Sequence, residues 1–110
     1  MDDGWVPVIE SGSLEDRRAA RVDVDGEAVL LVRDGDRLLA IGDRCTHRGA
    51  PLHRGRLTFS GSIAQVTCPV HGSLFDLATG KVMRGPATQA VPAYDARVNG
   101  AGTIEVRRRD

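Results

Sequence analysis

Apolar residues in this chain come in short runs broken by turn residues, and no segment holds a long helical period. Trp5 to Ile9 is apolar and β-prone, and Ala20 to Val24 alternates before Asp25-Gly26. Glu27 to Arg33 is rich in Val and Leu, ends at Asp34-Gly35, and is followed directly by Arg37 to Ile41. Two Asp-Gly pairs between apolar runs predict consecutive hairpins. Ser13-Leu14-Glu15-Asp16 predicts a brief helical turn through Arg18.

Further along, Gly61-Ser62 separates a strand around Leu57 to Phe59 from one at Ile63 to Thr67, which runs into Cys68. Leu74 to Leu77 and Lys81 to Met83 form a short pair around Ala78-Thr79-Gly80. The chain closes with Ala90 to Val98, a turn at Asn99-Gly100, and Thr103 to Arg107. The pattern predicts one small all-β domain of antiparallel hairpins over residues 1–110, with no repeat, low-complexity tract or linker.

Composition narrows the picture. With 41% hydrophobic and 27% charged residues, the chain has the make-up of a globular protein, not a disordered one. Fifteen basic and fifteen acidic residues cancel, so there is no global electrostatic case for nucleic acid or an anionic membrane as partner. The start, Met1-Asp2-Asp3-Gly4-Trp5, lacks the basic and apolar regions of a signal peptide, and no apolar run approaches the roughly 20 residues of a membrane span. The expected location is cytoplasmic. Two cysteines in a reducing compartment point to metal ligation or redox chemistry, and a disulfide between them would leave the neighbouring histidines unexplained.

Those cysteines carry the chemistry. Cys45-Thr46-His47 and Cys68-Pro69-Val70-His71 hold both cysteines and two of the three histidines, giving two sulfur and two nitrogen donors. That set suits a tetrahedral zinc ion, or an iron–sulfur cluster in which imidazoles replace two thiolates. Only one residue separates Cys45 from His47. Zinc modules usually leave at least two, so the spacing is awkward for one ion and easy for donors on neighbouring metal atoms. Gly49, Pro51, Gly55, Pro69 and Gly72 flank the donors and provide rigid turns where backbone N–H groups can approach sulfur.

The stretches CTHRGAPL (Cys45 to Leu52) and CPVHGSLFD (Cys68 to Asp76), followed by Thr79-Gly80 and Gly85-Pro86-Ala87, resemble the Rieske 2Fe-2S family, above all the bacterial ferredoxins serving ring-hydroxylating dioxygenases. The resemblance implies an antiparallel β-sandwich or barrel with a cluster-binding subdomain at about residues 43–77, formed by two hairpin loops. It implies Cys45 and Cys68 on a buried iron, and His47 and His71 on an outer iron near solvent. The implied function is one-electron transfer, without catalysis, from a ferredoxin reductase to a terminal oxygenase. A small Rieske subunit of a larger redox enzyme, such as a nitrite reductase or monooxygenase, is the alternative, and a structural zinc module is a remote one.

Neighbouring residues refine the expectation. The quinol-oxidising members of that family carry an extra cysteine in each loop and a tyrosine beside the second; this chain has Ala50, Val70 and Phe75 there. Losing a phenolic hydrogen bond to sulfur lowers the potential, whereas Ser73 retains a hydroxyl that could donate one. The expectation is the lower half of the family's range of roughly −150 to +300 mV. Residues 44 to 73 contain Arg44, Arg48, Arg54 and Arg56 but no Asp or Glu, which predicts a basic rim for docking redox partners. His53 is expected to pack in a loop without ligating metal, and Trp5 to anchor the first strand in the core.

Overall fold

The computed structural model describes residues 4–109, so Met1, Asp2 and Asp3 of the acidic start lie outside the described residues, as does Asp110. Six strands form the base sheet: β1 (Val6–Glu10), β2 (Ala19–Val24), β3 (Glu27–Asp34), β4 (Arg37–Gly42), β9 (Ala93–Val98) and β10 (Thr103–Arg108). Their order is β1-β10-β9-β4-β3-β2. The second sheet, β5 (Arg56–Ser60), β6 (Ile63–Thr67), β7 (Leu74–Asp76) and β8 (Val82–Arg84), is inserted between β4 and β9 and runs in sequence order. All named strand pairs are antiparallel. Among the described residues no helix is long and apolar enough to cross a membrane.

The hairpin signals are borne out locally. Asp25 and Gly26, both left-handed at φ 51° and 85°, connect β2 to β3, as a two-residue primed turn requires. Asp34 pairs with Arg37, so the β3–β4 loop is Gly35-Asp36, one residue later than the Asp-Gly pair suggested. The unbroken apolar run Val29 to Val32 has its cause in burial on both faces of β3. Val29 and Leu31 join Ala40, Tyr94, Ile104 and Val106 in one core. Leu30 and Val32 join Leu39, Ile41, Val66, Phe75 and Leu77 in the other, which also encloses Cys45 and Cys68. Each such side chain contributes about 1.5–3 kcal/mol on burial.

One expectation is corrected. The turn predicted from Ser13 through Arg18 is instead a 3-10 turn at Ser11–Ser13. Arg33 draws the segment out of helix, donating to the Ser11 carbonyl at 2.9 Å, the Ser11 hydroxyl at 2.8 Å and the Leu14 carbonyl at 3.2 Å. Arg17 then turns left-handed at φ 58°. Trp5 is buried directly before β1, as expected, and the guanidinium groups of Arg97 and Arg107 lie 4.0 and 4.5 Å from its ring centroid. The two cations add cation–π contacts to that burial.

Candidate metal centre

Three loops meet at one end of the second sheet. The first leaves β4 and closes on itself: Cys45 N–H donates to the Ala50 carbonyl at 2.9 Å, and Gly49 N–H to the Cys45 carbonyl at 2.7 Å. Pro51 bridges back to Arg44 and leads into a second 3-10 turn at Leu52–Arg54. In the second loop, between β6 and β7, Cys68 N–H donates to the Ser73 carbonyl at 2.7 Å. Pro69 and Val70 lie exposed at its tip, and His71 and Gly72 are both left-handed at φ 67° and 74°. A histidine there is uncommon and marks a strained site.

The four donors converge as two pairs. Cys45 and Cys68 are free, buried and in contact. Burial pushes the Cys68 thiol up, Val70 N–H opposes this by a hydrogen bond to sulfur, and the adjoining Cys45 adds to the rise. The rings of His47 and His71 stand edge to face, with centroids 5.3 Å apart and an interplanar angle of 77°. His71 is exposed and His47 half-buried. Among the described residues, no three Cys, His, Asp or Glu side chains are gathered to hold a single ion. A sulfur pair beside a nitrogen pair is instead the arrangement for two metal atoms.

One atom tests the fit. Nδ1 of His47 is buried and has no hydrogen-bond partner. An unsatisfied buried nitrogen costs about 1–3 kcal/mol, a cost that metal ligation removes. Together with two buried thiols in contact, it suits a two-iron centre with mixed sulfur and nitrogen ligation.

The comparisons agree. The Rieske [2Fe-2S] domain family matches residues 4–95. The chain belongs to this family. Its cofactor is one Rieske-type 2Fe-2S cluster. The chain is 32% identical over 99 residues to ferredoxin CarAc of Metapseudomonas resinovorans, covering 89% of each. Among solved structures it resembles the ferredoxin of carbazole 1,9a-dioxygenase from Nocardioides aromaticivorans IC177, with a TM-score of 0.86, 34% identity, and 96% and 98% of the two chains covered. It also resembles a putative NADH-dependent nitrite reductase small subunit from Mycobacterium tuberculosis, with a TM-score of 0.83, 31% identity and 96% of each chain covered. Against apoptosis-inducing factor 3 of mouse and human, 33% identical over 85 residues, the match takes in 77% of this chain but only 13% of that protein.

Around these four side chains, the other residues singled out from the sequence divide. Ser73 and Phe75 are fully buried, the phenyl ring among the apolar side chains that enclose both cysteines. Gly49, Pro51, Pro69 and Gly72 shape the two loops. Gly55 does something else: a Cβ there would collide with the backbone carbonyl of Thr67. It seats the first loop directly on the strand that leads to Cys68. Arg44, Arg48, Arg54 and Arg56 are all exposed, and among the described residues their side chains have no ion pair. Arg44 leans on Gly49 and borders a cleft with Arg21 and Arg108.

Sequence reasoning missed a third wall. Residues 85–92, which include the cis Gly85–Pro86 peptide, cross over both loops. Ala87 N–H donates to Ser73 Oγ at 2.9 Å, and Thr46 Oγ1 donates to the Gln89 carbonyl at 2.6 Å. It also missed Asp43. That buried carboxylate accepts from the His53 backbone N–H at 2.6 Å and pairs with His53 Nδ1 at 2.6 Å. Asp43 N–H donates to the Ala28 carbonyl at 3.0 Å and its own carbonyl accepts from Leu52 N–H at 2.6 Å. A charged residue two positions before Cys45 was the available signal.

Proposed function

We propose that Cys45 and Cys68 bind one iron of the cluster and His47 and His71 the other, and that the chain is a soluble, cytoplasmic one-electron carrier between a ferredoxin reductase and a terminal oxygenase of the aromatic-ring dioxygenase type. The observation that carries this is the segregation of buried sulfur from an exposed imidazole edge at one end of the molecule. When bound, the cluster accepts and releases one electron. The chain's residues do the rest. Cys45 and Cys68 keep the inner side away from water, and His71 brings the outer side to the surface where a partner docks. Ser73 accepts from Ala87 N–H, which leaves its own proton free to donate toward sulfur. We read residues 43–77 as the cluster-binding subdomain on a β base.

Unpaired Arg44, Arg48, Arg54 and Arg56 around the loops steer acidic partners, and a transient redox interface of less than about 1,200 Å² suffices. The purified protein should be red-brown, with two irons per chain, and should shuttle electrons from a ferredoxin reductase to an oxygenase without being consumed. A colourless protein, or iron equal to one per chain, would overturn the ligand assignment. The likeness to a nitrite reductase small subunit favours a second reading, a permanently bound subunit. Co-purification with a large partner through gel filtration separates the two.

A further inference from the structure

We infer that the groove between Arg17–Ala19 and β5 is a second docking site, for an extended acidic segment of a protein partner; this rests on the carrier reading. The groove, about 480 Å³, is lined by Arg17, Arg18, Ala19, His53, Gly55 and Leu57, with no carboxylate among them. Of the nearby acids, two are engaged in ion pairs and Asp16 accepts from Gly35 N–H, while exposed Glu15 has no ion pair among the described residues. Asp34 is held by Arg17 at 3.1 Å and Arg37 at 3.0 Å, and Asp43 by His53. Arg18 and the flanking Arg54 and Arg56 are exposed, and among the described residues their side chains have no ion pair or hydrogen bond. Arg17 and His53 are paired, so the uncompensated positive charge is that of Arg18 in the lining and Arg54 and Arg56 beside it, which outnumber Glu15 and complement a carboxylate-rich ligand.

The occupant's form follows from the edges. β5 is the outermost strand of the second sheet and has no partner on its far side. Such an edge accepts an extended chain through main-chain hydrogen bonds, with alternate side chains facing the sheet. Half-buried Leu57 and Ala19 provide an apolar floor, and Arg17 is fixed over the Phe59 ring at 5.0 Å from its centroid. Proximity gives the site its use. Arg56 is paired with Thr67, the residue before Cys68, and Gly55 touches the Thr67 carbonyl, so a partner seated on the free edge of β5 lies one strand away from β6, which leads to a proposed ligand. The exposed His71 edge stays open meanwhile.

The test uses the holoprotein and a fluorescein-labelled peptide of alternating Glu and Val, read by anisotropy. Arg18→Glu with Arg54→Glu should weaken binding about tenfold or more, whereas Lys81→Glu with Arg108→Glu, the same charge change elsewhere, should weaken it about twofold or less. Equal losses in the two doubles, or no measurable binding to the wild type, would overturn the site. Visible absorption of each variant is recorded alongside. Absence of a 2Fe-2S spectrum would sink the carrier reading whatever the peptide does, and an intact spectrum without selective binding sinks only the groove.

Discussion

Two polar side chains beside the donors set different properties of the centre. Ser73 is fully buried, and its oxygen accepts from Ala87 N–H at 2.9 Å. Its hydroxyl proton is free for sulfur, and a bond to sulfur stabilises the more negative reduced state. Ser73→Ala should therefore lower the midpoint potential by about 60 mV for each 1.4 kcal/mol of hydrogen bonding lost, measured by redox titration. An unchanged potential would mean the hydroxyl serves only the Ala87 loop. Asp43 acts on retention instead. Removing its carboxylate in Asp43→Ala strands the His53 backbone N–H, so stability should fall by about 3 kcal/mol in urea unfolding, with faster iron loss to a chelator. The candidate donors stood out in the sequence because Cys and His pairs are rare and adjacent, and the structure brings Cys45 beside Cys68 and His47 beside His71. Asp43 did not stand out, since its partner lies ten residues on and its role depends on burial, which a charged residue does not advertise.

Strands were legible to within one to three residues at each end, because alternation and Asp-Gly turns are local signals. Ile63 to Thr67 is matched at both ends, while β9 begins at Ala93, three residues after the expected start, because Ala90 to Pro92 belong to the wall over the centre. How the elements meet was not legible. Gly55 read as a turn residue for approach to sulfur; its function is contact between the end of the first loop and the Thr67 carbonyl of β6. The sequence period says nothing about a contact between backbones twelve residues apart. Gly55→Ala should push the two ligand loops apart and cost about 3 kcal/mol or more, seen as a lowered urea midpoint and incomplete iron loading. Its φ of −81° is ordinary for alanine, so a tolerated substitution would count directly against the close contact.

At the scale of the molecule, the two sheets are held in register by one acidic hub. Asp34, at the end of β3, accepts from Arg17 Nε at 3.1 Å and from Arg37 Nη2 at 3.0 Å. Arg37 of β4 continues to the Ser62 carbonyl at 2.7 Å, and Arg17, in the segment before β2, lies over Phe59, so both guanidinium groups reach the β5–β6 hairpin. The hydrogen bond from Arg37, and after it that from Arg17, holds the Asp34 carboxyl below its ordinary value of 3.8 against an opposing desolvation. The sign of the pH effect follows by linkage. Because the folded state binds this proton less readily than the unfolded chain, the stabilisation is present above about pH 3.8 and is lost as pH falls through the lower folded value. Asp34→Asn should thus be less stable than wild type near neutrality, and the gap should close as pH drops below 3.8, in matched urea titrations across pH. A gap that stayed constant through that window would place the stabilisation in hydrogen-bond geometry alone. A gap that closed, while the hairpin amides of the variant exchanged faster at neutral pH, would place the charge of Asp34 between the base and the sheet that carries the metal centre.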